Sequence, residues 1–240
     1  MSDFETIIYE IQDGVGYLTL NRPKALNAYS IKMRDEFWQV LSAIKEDDDV
    51  RVVIVKGAGD KAFCAGADLT EFLTAPSPII ARQVRWERDV WGLWLSIMKP
   101  FIAAIQGYAL GDGIEIAMCC DIRIASEDAQ FGTPEMGLGI ITAAGGSQTI
   151  TRVIGRSHAL DMLLTGRWVK ADEALHMKLV NRVVPKVELL QTAQQIADRI
   201  KSFDPIAVNY AKQAITRGLD LSLEQGLEVE ASLGARLAST

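Results

Sequence analysis

The chain has 240 residues, 49% of them apolar and 23% charged, a composition for one or two globular domains rather than a disordered segment. Lys and Arg number 25 against 31 Asp and Glu, a formal net charge of −6, which argues against a general nucleic-acid binder because that function needs a basic face. Three cysteines, Cys64 and the adjacent Cys119 and Cys120, suggest no disulfide framework, and two histidines on separate segments cannot assemble a His/Cys metal cluster.

Taken from the N-terminus, Met1-Ser2-Asp3-Phe4-Glu5 is acidic and predicts no signal peptide. No apolar run reaches the ~20 residues of a membrane span, so a cytoplasmic protein with no membrane partner is expected. Thr6–Ile11 and Val15–Leu20, separated by Asp13-Gly14, predict a β-hairpin. Ser30 then caps a predicted helix with Met33, Phe37, Val40, Leu41 and Ile44 on its apolar stripe. Val52-Val53-Ile54-Val55 reads as a buried, parallel strand, residues 58–70 as a Gly- and Ala-rich loop, and residues 79–98 as one long helix stopped by Pro100.

Trp86, Trp91 and Trp94 on that helix do not share a face, since the first two point about 140° apart. Some of them therefore belong to the core or to a subunit contact. Phe101–Ile105 predicts a second buried strand, and Gly107, Gly111 and Gly113 lead into a helix over Ile114–Cys120. Strand, Gly-rich turn, helix and strand in succession indicate an α/β fold. Beyond about residue 145 the pattern turns helical, with an amphipathic segment Glu188–Ser202, a helix opened by Asp204-Pro205 and a third from Leu221. Residues 1–185 are expected to form the core with the active site, and residues 186–240 a C-terminal helical region.

Two turns carry small residues beside free backbone N–H groups: Phe63-Cys64-Ala65-Gly66-Ala67-Asp68-Leu69 and Gly107-Tyr108-Ala109-Leu110-Gly111-Asp112-Gly113-Ile114-Glu115. Two such donors converging on one point would stabilise an oxyanion; the same glycines also serve tight turns that bind nothing. Glu115 sits among apolar neighbours in a helix that should be buried, and Glu135 follows Thr133-Pro134. A carboxyl in an apolar setting tends toward a raised pKa, useful for proton transfer. Each glutamate also has a plain structural reading, as a helix-start charge or an ion-pair partner. Ala143-Ala144-Gly145-Gly146-Ser147-Gln148 lacks the Lys and the spacing of a nucleotide loop. There is no GxSxG elbow, and His158 and His176 read as structural.

The order of these segments resembles the crotonase (enoyl-CoA hydratase/isomerase) superfamily along nearly the whole chain. The resemblance is carried by Leu20-Asn21-Arg22-Pro23-Lys24-Ala25-Leu26-Asn27-Ala28, Phe63–Leu69, Gln106–Asp121, Phe131–Gly139, Gly145-Gly146-Ser147-Gln148, and Leu164-Thr165-Gly166-Arg167 with Ala171-Asp172-Glu173-Ala174. It implies a spiral of ββα units with a C-terminal helical trimerisation region, assembled as a homotrimer or a dimer of trimers. It implies an acyl-CoA substrate, with coenzyme A as part of that substrate and no separate cofactor or metal. Lys24, Ala25 and Leu26, with the main chain at Ala65 and Asp68, would hold the adenine end of CoA. The N–H groups of Ala67 and Asp112 would grip the thioester oxygen, and Gly146 would help seat the catalytic water.

Family members with both glutamates are typically hydratases, which implies hydration of a 2,3-enoyl-CoA by Glu115 and Glu135 as base and acid. Enoyl-CoA isomerisation, other acyl-CoA chemistry, and a non-catalytic CoA- or RNA-binding role remain alternatives on such a scaffold. Three departures stand out. Asp112 occupies a usual glycine position, and its side chain is expected to leave the pocket or touch the substrate. Thr142-Ala143 replaces the common Pro-Gly, which implies an unusual acyl pocket. The chain ends at Ala238-Ser239-Thr240, where many relatives carry a further turn and helix over a neighbour's CoA.

Overall fold

The computed structural model describes residues 4–71, 74 and 77–239; residues 1–3 of the acidic opening and Thr240 lie outside it. Strands β1 (Ile7–Gln12) and β2 (Val15–Leu20) pair antiparallel as predicted. Asp13 and Gly14 between them both adopt positive φ, 50° and 75°, which suits a two-residue turn matched to the strand twist. In helix α1 (Ile31–Glu46) the Ser30 side chain accepts the Met33 N–H at 3.1 Å, and Met33, Phe37, Val40, Leu41 and Ile44 are buried. Glu36 is buried with them because its carboxylate accepts the N–H groups of Glu5, Thr6 and Ile7 at 2.8–3.1 Å. That satisfies the charge and fixes the start of β1.

From β3 the chain winds in repeating units of two strands and a helical segment. Strand β3 (Val52–Gly57) is followed by β4 (Ala62–Cys64) and helices α2 (Pro78–Glu87) and α3 (Val90–Ser96). Strand β5 (Phe101–Ile105) is followed by β6 (Tyr108–Leu110) and α4 (Asp112–Met118). Strand β7 (Ile122–Ser126) is followed by β8 (Gln130–Gly132) and α5 (Gly146–Thr165), then by β9 (Val169–Lys170), α6 (Ala171–His176) and β10 (Arg182–Val184). The first strand of each unit joins a six-stranded sheet in the order β1-β2-β3-β5-β7-β10, parallel beyond its hairpin. The second joins a four-stranded sheet in the order β4-β6-β8-β9, of which β4, β6 and β8 run parallel. This is the spiral of ββα units that the resemblance implies.

Alternation along the strands divides the core. Val53 and Val55 face one cluster with α1, α3, α4 and α5, whereas Val52 and Ile54 face another closed by Leu189, Ala193 and Ala197 of α7 (Leu189–Lys201). Helices α8 (Pro205–Gly218) and α9 (Leu223–Ala238) lie against each other, bury little beyond Leu233, and leave Ile206, Ile215, Leu219, Leu223 and Leu227 exposed.

Three expectations need correction. Residues 58–70 are not all loop, because β4 lies within them and pairs with β6. Residues 79–98 are two helices rather than one. Arg88 leaves the helical region (φ −130°, ψ 61°), and the Asp89 carboxylate accepts the Gly92 N–H at 2.9 Å to cap a new helix. The helix expected over Ile114–Cys120 starts earlier, at Asp112, and ends at Met118. Trp94 is buried with its ring 5.3 Å from both Phe37 and Phe101, Trp91 lies 5.6 Å from Tyr29, and Trp86 is exposed.

Candidate active site

The two small-residue turns meet. Gly66 (φ 105°) ends the turn after β4 and Gly111 (φ 50°) the turn after β6, and only glycine tolerates both conformations without strain. A Cβ on Gly66 would lie 3.1 Å from the Leu110 carbonyl oxygen, so the absence of side chains lets the backbones touch. Most N–H groups of these turns have backbone acceptors. Tyr29 donates to Gly66 O (2.8 Å), Asp68 to Tyr29 O (2.9 Å), Gly111 to Gly132 O (3.0 Å), and Ile114 and Glu115 to Gly111 O. Ala67, one residue beyond Gly66, and Asp112, one residue beyond Gly111 and the first residue of α4, stand at the two turns where they approach.

Glu115 lies one helical turn beyond Asp112 and is 2% exposed. Its Oε1 accepts the N–H of Gly146 at 2.7 Å and of Ala144 at 3.0 Å, both at the start of α5. A Cβ at position 146 would fall 2.7 Å from that oxygen, so only glycine lets the helix start close on the carboxylate. Gly146, named in the sequence as a seat for water, thus holds Glu115. Burial is the largest cause pushing the Glu115 carboxyl up to about 8, followed by the charge of Asp112 and a hydrogen bond that the protonated Glu115 donates to it; the two N–H groups oppose the shift.

Glu135 sits in a 3-10 turn (Pro134–Leu138) on the opposite wall. Its Oε1 is 3.3 Å from where a Gly111 Cβ would be, and its Oε2 is buried with no hydrogen-bond partner. Burial raises its pKa, and the negative charge of Glu115 adds to the rise. The two carboxyls lie near enough for the charge of Glu115 to act on Glu135. The Thr142 hydroxyl is likewise buried and unpartnered. A largely apolar hollow of about 250 Å³, lined by Glu135, Met136, Ile141, Thr142, Leu163 and Leu164, opens beside Glu135.

The Asp112 side chain acts on Glu115, whose pKa it helps to raise.

Of the residues expected at the adenine end, Lys24 and Leu26 line a second hollow, of about 220 Å³, between Pro23–Asn27 and Ala58–Ala62, whereas Ala25, Ala65 and Asp68 are not part of its lining. Lys24 and Lys61 stand on its rim. Lys24 and Ala25 belong to a 3-10 turn, and Leu26 follows in the left-handed region. The Ala65 N–H donates to Leu26 O at 3.0 Å. With the N–H of Asp68 also bound, Ala65 and Asp68 have carbonyl oxygens, not N–H groups, to offer a ligand.

Sequence reading did not single out Arg22, Asn27 and Tyr29, which assemble these walls. Arg22 pairs with Asp68 at 2.8 Å and donates to Ala28 O at 2.7 Å. Asn27, fully buried with positive φ, donates to Ala58 O and Ala62 O and accepts from the Arg22 N–H. An Asn in the left-handed region is the one local signal that marks such a residue. Tyr29 bridges to Ala67 through its backbone, and its hydroxyl is buried with no partner. His158 and His176 are exposed. Among the described residues no cluster of three or more His, Cys, Asp or Glu is placed to hold a metal ion.

The chain is similar to known proteins along nearly its whole length. The family model described as enoyl-CoA hydratase/isomerase matches residues 10–240. The short-chain-enoyl-CoA hydratase of Clostridium acetobutylicum is 42% identical over 239 residues, covering 99% of this chain and 91% of that protein. The crotonyl-CoA hydratase of Syntrophomonas wolfei is 40% identical over 229 residues, covering 95% and 88%. The crystal structure of an enoyl-CoA hydratase from Bacillus anthracis superposes with a TM-score of 0.93 at 39% identity, covering 98% of this chain and 92% of that one. The chain belongs to the enoyl-CoA hydratase/isomerase family, within the crotonase superfamily.

Proposed function

We propose that the chain is an enoyl-CoA hydratase that adds water across the 2,3-double bond of an enoyl-CoA thioester. The observation that supports this reading is a pair of carboxyls, the buried Glu115 and the half-buried Glu135, whose pKa values are both raised and which interact electrostatically. A single-glutamate isomerase site would not require that pairing. Glu115, held in one orientation by Gly146 and Ala144, takes a proton from water as the water oxygen bonds to C3. The π electrons move toward the thioester carbonyl, whose oxygen becomes negative. Glu135, whose half-buried setting favours the protonated form, delivers a proton to C2. The main chain at Ala67 and Asp112, beside the touching turns, would stabilise the enolate oxygen. Acid–base groups of this kind contribute roughly 10²–10⁴-fold each, and an oxyanion donor ~10²–10³-fold.

In this reading the acyl tail enters the apolar hollow beside Glu135, and the nucleotide end of CoA lies along Lys24, Ala25, Leu26, Ala65 and Asp68. Coenzyme A arrives as part of the substrate and no other cofactor takes part. The exposed apolar side chains of α8 and α9 support a homotrimer, or a dimer of trimers, built through those helices. The buried free thiols of Cys64, Cys119 and Cys120 agree with a cytoplasmic site of action.

Incubation with crotonyl-CoA in ¹⁸O-labelled water tests the reaction. Loss of the conjugated-thioester absorbance with one labelled oxygen at C3 is expected. A double bond that migrates without label would instead assign the isomerase chemistry.

A further inference from the structure

Helix α5 bends at Gly155, where φ 79° and ψ 162° interrupt the helical path, a backbone conformation open to glycine. Beyond the bend Leu160, Leu163 and Leu164 stand three and four residues apart, so they gather on one side of the helix. They line the hollow beside Glu135 together with Met136 and Ile141.

A crotonyl group does not account for this space. It carries a single carbon beyond its double bond, whereas a hollow of about 250 Å³ holds roughly eight groups of ~30 Å³, the share of one water in the liquid. The lining has little to offer a polar ligand. Thr133 gives its hydroxyl proton to Met162 O at 3.3 Å and Thr151 to Ser147 O at 2.7 Å. The Thr142 hydroxyl, which has no partner, is itself buried. Among the described residues that line the hollow, Glu135 alone is charged, and it stands at the reacting end. Large apolar side chains form the mouth and remain in solvent: Ile141 is 73% exposed and Leu164 63%. An apolar patch continuous with a pocket marks a surface that a ligand or partner covers.

We propose that the acyl group of the substrate is an apolar chain of medium length, about eight to twelve carbons by that volume. It runs from Glu135 along Leu160 and Leu163 and leaves the hollow between Ile141 and Leu164. Each carbon beyond the crotonyl methyl removes apolar surface, of the chain and of these side chains, from water. A chain longer than the hollow continues into solvent past the mouth and gains no further affinity.

Because the position of the reacting carbons rests on the hydratase reading, one arm of the test needs no turnover. Saturated thioesters from butanoyl-CoA to dodecanoyl-CoA cannot be hydrated, and calorimetry below their micelle concentrations measures their binding. A fully buried methylene is worth about fourfold in an equilibrium. With part of the chain in the open mouth, affinity should rise about two- to fourfold per methylene up to octanoyl- or decanoyl-CoA and then level off. Ile141→Glu and Leu164→Glu alter exposed positions outside the core packing, and each should lower the decanoyl-to-butanoyl affinity ratio about fivefold or more. A flat series, or one that falls beyond hexanoyl-CoA, overturns the assignment even if crotonyl-CoA is hydrated well. Variants that change the oligomeric mass but leave the affinity ratio intact overturn it too, and give the apolar mouth to a contact between copies of the chain. The second arm is kcat/KM for crotonyl-, octenoyl- and decenoyl-CoA, which should rise in the same order. A rising affinity series with no hydration of any enoyl-CoA supports the chain length and removes the hydratase reading instead.

Discussion

Gly66 and Gly111 stand back to back at the junction of two ββα units, so that a Cβ on Gly111 would lie 3.6 Å from the Gly66 Cα and 3.3 Å from Glu135 Oε1. One residue thus holds apart the oxyanion turn and the acid. Gly111 also adopts φ 50°, ψ −119°, a conformation that costs an L-residue about 1–3 kcal/mol. Gly111→Ala should lower stability by that amount and shift both the Asp112 N–H and the Glu135 carboxyl. A kcat loss of about 10² or more is expected, since a donor displaced by about 1 Å stabilises the developing charge poorly. Steady-state kinetics beside urea unfolding separates the two effects; full kcat in a destabilised variant would remove Gly111 from the site.

Glu135 Oε2 is a buried oxygen with no hydrogen-bond partner in the protein, which leaves it open to a water or a substrate. Glu135→Gln retains the shape and removes the transferable proton. It should lower kcat by about 10²–10⁴ and change KM by no more than a few-fold, because the loss falls on the transition state. Stopped-flow binding of a non-reactive acyl-CoA should be unaltered. An unchanged kcat would mean that C2 receives its proton from elsewhere.

The raised Glu115 pKa has a signed consequence for stability. From an ordinary value of 4.5, burial and Asp112 lift it to about 8. The folded chain then keeps a proton that the unfolded chain has lost, so stability falls as pH rises from about 4.5 to about 8. Glu115→Gln keeps the acceptor for the Ala144 and Gly146 N–H groups and cannot ionise. Its advantage over wild type should be small at pH 5 and reach about 2–4 kcal/mol at pH 9. Urea unfolding at three pH values measures it, and a gap that does not change with pH would refute it.

The sequence made some of this legible because certain signals are local. Asp13-Gly14 specifies its hairpin turn, Ser30 its helix cap, and the apolar Val52–Val55 run a strand covered on both faces. Strand β4 escaped because three residues carry no periodicity; Ala62–Cys64 is a strand only because Tyr108–Leu110 pairs with it. The break between α2 and α3 depends on whether Asp89 caps a new helix or rides on an old one, which local propensity does not decide. The site followed the same rule. Its turns and glutamates were readable from residue type, but the contact of Gly66 with Gly111 and of Asp112 with Glu115 arises from folding. The latter runs against the simple rule that like charges avoid each other on a helix.

Arg22 ties the segment that bears Lys24–Leu26 to the loop that bears Asp68. Its guanidinium reaches Asp68 at 2.8 Å on one loop and Ala28 O at 2.7 Å on the other, and both charged side chains are three-quarters or more buried. A charge-assisted pair in that setting contributes about 1–2 kcal/mol after allowance for its remaining exposure. Arg22→Met fills similar space and severs both bonds, freeing the Ala65–Asp68 segment from the Lys24–Leu26 turn. KM for crotonyl-CoA should rise several-fold with kcat within about twofold, since uniform binding is lost while the reacting end is untouched. A crotonyl thioester of N-acetylcysteamine, which has no nucleotide, should show no such rise in KM. Equal effects on both substrates would place the adenine end of CoA away from these loops.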